Sequence, residues 1–298
     1  MGDQPWNVEQ MTIAQNIVME RFAQNAVAGH MSPQSTVGED ETTVKTNRFD
    51  YDRGIVIDRD TFDLNEPFSL CRFSKAQVNE FSQAKDEEAL KQTRVVTTLT
   101  RAASNLARWH DVLFFVGDDR GQKPSNVDMP KLAHPPLSLQ EAAENAEKDL
   151  SENPVPVSDP LNEGLVAAAY DAVLRLESRG YFTEYHLVLG EDLWRALHTP
   201  TSGSMVLPRD RIEPTLMGGK FFRTTVLPPD EALLASLDGP TFECVIAGDG
   251  KSYPSFEFLR IERVNDEEFH LFRVRERFAP RVRENRSVVR LKVETSKP

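Results

Sequence analysis

The stretch from residue 208 to residue 293 constrains the fold most, because it is dense in packing and turn signals and carries almost no chemistry. It contains a Gly-Gly-Lys turn at 218–220, a Pro-Pro-Asp turn at 228–230 and an Asn-Asp turn at 265–266. The pattern predicts a short apolar helix after residue 230, a strand at 242–247 and a β-meander to residue 293. Nothing nucleophilic or metal-binding is embedded in it, which indicates a protein that works through its surfaces.

The predicted meander has strands at 256–264, 269–278 and 288–293, and its later part is strongly basic. In the second strand Phe272, Val274 and Phe278 alternate with arginines, so one face is expected to be buried and the other charged. A solvated strand face explains this best, a subunit contact comes second, and nucleic acid third, because no aromatic residues alternate with the basic residues as stacking platforms. The basic residues are Arg273, Arg275, Arg277, Arg281, Arg283, Arg286, Arg290 and Lys292.

Composition excludes several classes of protein. A formal net charge of −12 over 298 residues argues against non-specific nucleic-acid binding, which needs a cationic surface. No apolar run is long enough for a membrane span, and the N-terminus lacks the basic and apolar segments of a secretory signal, so a cytoplasmic protein is expected. Cys71 and Cys244 lie far apart in apolar stretches, which predicts buried reduced thiols.

The first 66 residues predict a terminal helix followed by a polar hairpin. Asn7 and Gln10 form a capping box, Gly29 is the expected helix stop, and one apolar stripe lies between them. Strands at 42–49 and 55–58 flank the turn at 50–54, and they are too polar to form a core, so the hairpin is expected to project. A buried strand is expected at 68–73. The helical stripe consists of Met11, Ala14, Val18, Phe22 and Ala26.

A long helix is predicted from about Asp86 to Gly117, with Leu99, Leu106 and His110 on its buried face. About thirty residues would span about 45 Å, enough for a spine. Residues 118–160 are rich in Pro, Asn and acids and are interpreted as a surface insertion around one helix capped by Ser138 and Glu141. A helix that starts at residues 159–160 and ends at 180, a strand at 185–189 and a helix at 191–197 follow.

No segment of the sequence carries a specific motif for metal binding, catalysis or phosphate binding. The six histidines show no metal-binding spacing, and His110 and Asp111 are neighbours on a helix, where adjacent side chains point to different faces. Gly218, Gly219 and Lys220 resemble part of a phosphate loop but lack its remaining residues, so a helix stop before a strand is preferred. An enzyme assembled from residues distant in sequence stays open, but no motif indicates one.

Four segments, taken in order, resemble the encapsulins, shell proteins of bacteria and archaea that share the fold of tailed-phage major capsid proteins. They are the strand at 68–73, the helix end at 106–117, the strand, turn and helix at 185–194, and the stretch 212–226. The resemblance covers roughly residues 65–295 and rests on order and spacing. The segment after the first helix lacks the basic-aromatic pattern common in encapsulins, and residues 118–160 are longer and more acidic than usual.

The resemblance implies an α+β chain with the phage major capsid (Hong Kong 97-like) fold. Residues 1–41 would form the N-terminal helix and arm, 42–66 the extended loop, 67–117 with 251–298 the peripheral domain with its spine helix, and 118–250 the axial domain. The implied function is that of a self-assembling protomer of an icosahedral nanocompartment, neither an enzyme nor a cofactor or metal binder. A phage or prophage major capsid protein is the alternative, and a soluble enzyme the third possibility.

The resemblance also implies partners and sites. The partners would be further copies of the chain and an enclosed cargo protein, a ferritin-like protein or a dye-decolourising peroxidase as in relatives, with no membrane and no nucleic acid. Some relatives stack a flavin on a Trp where this chain has Phe73, so no flavin is expected. An ordinary exposed turn is as good an interpretation of the implied pore loop, and a helix that only seals its own domain is the alternative to the implied cargo groove. The implied fivefold pore loop is Ser236, Leu237, Asp238, Gly239 and Pro240, and the implied cargo groove is Met11, Val18, Phe22, Ile261, Phe269 and Leu271.

Overall fold

The computed structural model describes residues 5–50, 55–84, 87–118, 123–201, 204–237, 241–248 and 253–294. The helices are α1 (Val8–Asn25), α2 (Val27–Met31), α3 (Lys75–Gln83), α4 (Glu87–Lys91), α5 (Arg94–Phe115), α6 (Leu139–Leu150), α7 (Gly164–Ser178), α8 (Glu191–Leu197) and α9 (Pro208–Ile212). Short 3-10 helices lie at Glu213–Leu216 and Asn285–Ser287.

The strands are β1 (Gln34–Val37), β2 (Thr43–Asp50), β3 (Ile55–Asp63), β4 (Phe68–Ser74), β5 (Val155–Val157), β6 (Tyr185–Leu189), β7 (Phe221–Arg223), β8 (Glu231–Ser236), β9 (Phe242–Ala247), β10 (Ser255–Val264), β11 (Glu267–Arg275), β12 (Phe278–Val282) and β13 (Val288–Val293). Their sheet orders in the described residues are β1-β9-β12, β10-β11-β4, β5-β13-β8-β6-β7 and β2-β3. Mixed sheets and separate helices confirm the predicted α+β class.

A first core surrounds helix α5, which packs against α1, β4 and β11. The helix begins at the cap Thr93, whose hydroxyl accepts from the Val96 amide, and ends before Gly117, whose φ of 97° suits a residue without a side chain. Trp6, ahead of α1, stacks on Phe272 with ring centroids 4.5 Å apart and so fixes the N-terminal segment to the sheet of β10, β11 and β4.

A second core fills the space between the sheet β5-β13-β8-β6-β7 and helices α7, α8 and α9. Strands β6 and β8 are buried along their whole length, which agrees with the apolar runs at 187–189 and 232–235. Gly219 lets the chain pass close to β6, because a Cβ at this position would lie 1.8 Å from the Tyr185 carbonyl oxygen. The Gly-Gly-Lys segment therefore has a packing role, as the sequence indicated.

Several predicted elements differ from the structure. Residues 231–236 form strand β8 and not a short helix, since both of its edges pair, with β6 and β13. The first two predicted strands pair as the hairpin β10–β11, but the predicted continuous meander is wrong, because the later strands enter other sheets: β12 pairs with β9, and β13 with β5 and β8. The predicted strand 269–278 ends at Arg275, and a separate strand starts at Phe278.

The helices also need corrections. The predicted thirty-residue helix begins at Arg94 after the separate helix α4 and has 22 residues, or roughly 33 Å. Helix α1 stops at Ala26, and Gly29 lies inside α2. Helix α7 starts at Gly164, because Asp159 adopts a left-handed conformation with φ 46°. Helix α6 has its predicted Ser138 cap but is no surface insertion, since its apolar face is buried against β13 and α5.

The predicted domain division remains a proposal, with a revision that strand pairing requires. Strand β13 belongs to the sheet of β5, β8, β6 and β7, although it falls in the segment 251–298 that was assigned to the peripheral domain. Strand β9 in turn pairs with β1 and β12, outside that sheet, although it falls in the segment 118–250. The C-terminal strand therefore completes the sheet of the predicted axial domain.

Candidate functional site

The β2–β3 hairpin is the first candidate surface, and its base is firmly attached. Val44 and Leu64 are buried with Val245 and Ala279 in a small cluster of their own. The Asp63 carboxylate accepts from the Ala133 and His134 amides, both at 2.8 Å. Beyond this base, and within the described residues, β2 and β3 form a two-stranded sheet that no other strand joins.

A two-stranded sheet without further partners is marginally stable in water. The strands of this hairpin pair from Thr43 with Asp63 to Asp50 with Ile55, with an irregularity between Asn47 and Arg48. Residues 51–54 at its tip lie outside the described residues. The geometry is that of an arm that is fixed at one end and available to a partner along the rest of its length.

The basic segment 273–292 is a second candidate, but its charges are already paired. Arg281 and Arg283 both donate to the Glu243 carboxylate, at 2.6 Å and 2.8 Å. Burial acts to raise the pKa of Glu243, but a hydrogen bond with Ser35 and the contacts with the two arginines hold it below its usual value. Glu243 therefore joins β9 to β12 and to the chain that follows it. This pairing leaves little free positive charge for a polyanion. The other pairs are Arg273–Glu257, Arg275–Glu66, Arg290–Glu144, Arg290–Glu147 and Lys292–Glu231.

An exposed apolar strip is a third candidate surface. Tyr170 and Leu174 lie one turn apart on the outer face of α7 and are 45% and 58% exposed. Phe182, after the helix, is 58% exposed, and Met205 is 98% exposed. Exposed apolar residues that are neighbours on a helix surface, as Tyr170 and Leu174 are, indicate a contact with another protein.

The predicted pore loop is described only in part, because Asp238, Gly239 and Pro240 lie outside the described residues. Ser236 is the last residue of β8 and is fully buried, with its hydroxyl donating to the Thr183 carbonyl. The amide of Leu237 donates to the Glu184 carbonyl at 3.0 Å. Both residues therefore belong to the base of the loop and not to its tip.

The predicted cargo groove is divided among different surroundings. Val18 and Phe22 point into the core, where the Phe22 ring meets the His110 ring edge-on at 5.5 Å. Met11 is half-buried on the same helix. Val18 and Phe22 therefore lie on the core-facing side of α1, and Met11 lies at the edge of that buried side.

The strand residues of the predicted groove do not share one face of the sheet. Ile261 pairs with His270, so it lies on the face that carries Phe272 and is covered in part by α1. Phe269 and Leu271 alternate with those residues and lie on the opposite face, where the Arg72 guanidinium sits 4.0 Å from the centre of the Phe269 ring. Ile261 is 42% exposed and Leu271 only 6%.

Sequence reasoning missed a buried polar cluster, because its members come from four separate segments. His110 Nδ1 of α5 lies 3.1 Å from Glu276 Oε2, and the Tyr253 hydroxyl donates to the same oxygen at 2.7 Å. His110 Nε2 faces the Cys244 sulfur at 4.0 Å. The His110 ring stacks on Phe278 with centroids 4.0 Å apart. No spacing rule could have grouped these residues, although a histidine in an apolar helix was visible.

Burial and mutual contact shift the proton affinities of this cluster. The nearby Glu276 carboxylate raises the pKa of His110 well above its ordinary value, although burial opposes it. Burial raises the pKa of Glu276 and of the Tyr253 hydroxyl. Burial also raises the pKa of Asp111 to about 7, against the effect of His110 and of the two amides, of Val27 and Ala28, that donate to it. Asp111 caps α2 and is separate from the cluster, as the helix geometry indicated.

Three further observations concern the possible binding of a flavin, a metal ion or a membrane. Phe73 is fully buried beside Trp6 and Phe272. Within the described ranges, no group of His, Cys, Asp and Glu side chains has an arrangement that could hold a metal ion. In the same part of the chain, no helix combines the length and the apolar character needed to cross a membrane.

Comparison with known proteins supports the resemblance. Residues 147–278 match the model of the Linocin_M18 family, described as an encapsulating protein for peroxidase. No curated protein sequence gives a significant match.

The fold is shared with particle-forming proteins. A virus-like particle subunit from Pyrococcus furiosus aligns with a TM-score of 0.62 and 11% identity over 96% of this chain and 99% of its own. The encapsulin of the holo-SrpI complex from Synechococcus elongatus PCC 7942 gives 0.54 and 10% over 100% and 95%. The capsid protein of Myoviridae Phage XM1 gives 0.54 and 13% over 92% and 91%. The predicted Hong Kong 97-like capsid fold is confirmed, and residues 147–278 of the chain are similar to the family of encapsulating proteins.

Proposed function

We propose that this chain is the protomer of a closed, hollow icosahedral shell that encloses a cargo protein in the cytoplasm, and that its role is structural and not enzymatic. The observation that carries the proposal is the likeness to a virus-like particle subunit over 96% of this chain and 99% of that one. The match of residues 147–278 to a family of encapsulating proteins favours a protein container.

The surfaces of the molecule suit assembly. The β2–β3 hairpin is attached at its base and has no further strand partner in the described residues, so a neighbouring copy would complete its burial. The exposed apolar residues Tyr170 and Leu174 on α7 and Phe182 after it offer a second contact. Two different surfaces that each bind another copy form heterologous contacts, which close into a shell when the rotations fit.

The test is assembly of the purified protein without partners. Size-exclusion chromatography and negative-stain microscopy should show closed particles of uniform diameter across salt and protein concentration. Only monomers or dimers under all conditions would refute the proposal.

A phage or prophage major capsid protein is the second candidate, since the capsid of a phage is about as similar in fold as the encapsulin. The pairing of the basic segment with carboxylates and the net charge of −12 favour a protein container over a genome container. The ratio of absorbance at 260 and 280 nm distinguishes the two, because nucleic acid inside the particles would raise it.

We infer that the loop at 236–240, with Ser236 and Leu237 at its base, borders an opening at the fivefold axis. The loop starts directly after β8, and the Thr241 hydroxyl donates to the Ser236 carbonyl at 2.7 Å, which closes its base. A ring of Asp238 carboxylates would favour cations. Asp238→Lys should slow cation entry into particles without affecting assembly, and Asp230→Lys, on another turn, is the matched control. Equal cation entry in Asp238→Lys and wild type would exclude the pore role.

Cargo is inferred to bind where α1 meets β10. The Gln15 side chain donates to the Pro254 carbonyl and accepts from the Phe256 amide, both at 2.7 Å, and so holds the start of β10. Beyond it Ile261 is exposed on the α1 side, and Met11 lies one turn before Gln15. Phe269 and Leu271 would not contribute from the other face. The cargo class stays as the family suggests, a ferritin-like protein or a peroxidase.

The cargo site is tested with Ile261→Asp and not with Phe22→Asp, because Phe22 packs on the core and its replacement would unfold the domain. Particles of Ile261→Asp should lose co-purified cargo from the native host while their yield is unchanged. Leu70→Asp is the control, since Leu70 is exposed to a similar degree, 46%, on the other face. If Ile261→Asp particles retain their cargo, the cargo binds at another surface.

A further inference from the structure

The two cysteines of the chain have very different surroundings although both are buried. Cys71 lies on β4, and burial alone raises the pKa of its thiol to about 12. At pH 7 only about one such thiol in 10⁵ is a thiolate. Because the thiolate is the nucleophile, Cys71 is expected to be inert.

Cys244 has instead a line of polar groups behind it. Its sulfur lies 4.0 Å from His110 Nε2, and His110 Nδ1 lies 3.1 Å from Glu276 Oε2. The Tyr253 hydroxyl donates to the same carboxylate oxygen at 2.7 Å, and Phe278 stacks on the imidazole. The order of thiol, imidazole and carboxylate is that of a cysteine nucleophile with its base and the group that orients the base.

A cavity of about 180 Å³ lies beside this line. His110, Tyr253 and Ile246 contribute to its wall, together with Phe22, Ala26 and His30. Ile246 is two residues from Cys244 on β9, so their side chains point to the same face of the strand. The cavity therefore reaches the imidazole that contacts the sulfur, and it is large enough for a molecule of a few atoms, but not for a substrate of ordinary size.

We propose that Cys244 is a reactive thiol for small oxidants of the peroxide class, activated by His110 and positioned through Glu276 and Tyr253. In the reaction, His110 Nε2 takes the thiol proton, the sulfur attacks one peroxide oxygen and the O–O bond breaks. The leaving hydroxide takes the proton from His110 and departs as water. The sulfur is oxidised to sulfenic acid and the peroxide is reduced, so one thiol and one H₂O₂ give one sulfenic acid and one water.

The charged surroundings favour this role. The titratable groups that face His110 are Glu276 and Tyr253, with Cys244 on the other side, Asp111 next to it on the helix and His30 across the cavity. Glu276 Oε2 lies 3.1 Å from His110 Nδ1 and accepts from the Tyr253 hydroxyl, and both contacts favour the negative carboxylate against the effect of burial. That charge stabilises the imidazolium that forms when the thiol gives up its proton.

The experiment treats the purified full-length protein with H₂O₂, stops the reaction with catalase after set times, unfolds the protein in dimedone, which traps sulfenic acid, and measures the modified peptides by mass spectrometry. Cys244 is expected to react about a hundredfold faster than Cys71, the gain that a positioned general base supplies. Cys71→Ser should leave the rate unchanged and Cys244→Ser should abolish the fast modification. The bulky reagent dithiobis(nitrobenzoate) should leave Cys244 unmodified, because the cavity excludes it.

The positioning residues are tested with His110→Gln and Glu276→Gln. Each should slow the modification of Cys244 and move the pH of its half-maximal rate upward, a change that a purely structural role would not cause. His186→Gln is the control, a second buried histidine, whose Nδ1 accepts from the Lys220 amide. If His110→Gln fails to fold, the proposal is still tested by Glu276→Gln and by the comparison of the two cysteines in the wild type. Equal rates at Cys71 and Cys244, modification of neither, or unchanged kinetics in both variants would overturn the proposal.

Discussion

Single residues set how this protein responds to pH. Asp111, His110 and Glu276 are all buried, and each has a pKa above its ordinary value. A group whose pKa is raised by folding stabilises the native state at low pH, and this contribution is lost as the pH rises through the folded value. All three groups act in the same direction, which differs from proteins whose paired carboxylates make them sensitive to acid.

We therefore expect stability to fall as the pH rises from 5 to 9. Asp111 contributes at most about 4 kcal/mol between its ordinary pKa of 3.8 and its folded value of about 7. The measurement is the thermal unfolding midpoint at matched protein concentration. Asp111→Asn should flatten the profile up to about pH 7, although it lowers stability at acid pH, because an amide offers only one acceptor oxygen to two backbone amides. A midpoint that rises from pH 5 to pH 8 would contradict this account.

Gly219 is a position at which close packing leaves no room for a side chain. A Cβ there would lie 1.8 Å from the Tyr185 carbonyl oxygen, so Gly219→Ala must push the turn away from β6. We expect a loss of about 2–3 kcal/mol in the free energy of unfolding. Gly29→Ala is the matched control, because its nearest contact would be at 3.7 Å inside α2, and it should be neutral or stabilising. Similar midpoints for the two variants would show that the turn can relax.

At the scale of elements, the sequence was most informative where a local rule decides. The capping boxes of Asn7 and Ser138 are present as predicted, because cap, side chain and backbone amide lie within four residues. The strand at 231–236 was missed, because its apolar run suits a helix equally and its two partners, β6 and β13, come from distant segments. The meander was predicted wrongly for the same reason. Alternation of apolar and polar residues predicts a strand, but it does not predict the sheet to which the strand belongs.

The same limit applies to the candidate site. The hairpin was predictable, since two polar strands and a turn are a local pattern. The cluster of His110, Cys244, Tyr253 and Glu276 was not, because its contacts join residues up to 166 positions apart. The split of the groove residues between two faces follows from the pairing of Ile261 with His270, which depends on the register of β10 against β11.

The cap of α6 gives a prediction at this scale. Ser138 is fully buried, its hydroxyl accepts from the Glu141 amide at 3.2 Å, and its own amide donates to the Glu141 carboxylate at 2.8 Å. Ser138→Ala should cost about 1 kcal/mol, and more if the half-buried Glu141 carboxylate loses its hydroxyl donor. Ser178→Ala, which removes an exposed hydroxyl bond at the end of α7, is the control and should change the midpoint little. Equal effects would mean that the cap does not limit the stability of α6.

For the whole molecule, the hairpin decides whether folding and assembly are separable. Val44 and Leu64 at its base are part of a buried cluster, and the Asp63 carboxylate binds two amides, so these residues belong to the fold of the protomer. The more distant part pairs only with itself among the described residues. Removing this part should therefore cost contact with a neighbour and little stability.

The register of the hairpin shows where to cut. Thr46 and Asp60 are directly paired, so residues 47–59 can be replaced by an Asn-Gly turn without moving the strand ends. The shortened chain should keep the circular dichroism spectrum and, as an unassembled protomer, the thermal midpoint of a dissociated wild type. It should elute as small species where the wild type forms particles, because a stable interface between proteins needs roughly 1,000 Å² or more of buried surface. Intact particles from the shortened chain would mean that the remaining surfaces, such as the strip of Tyr170 and Leu174, are sufficient for assembly.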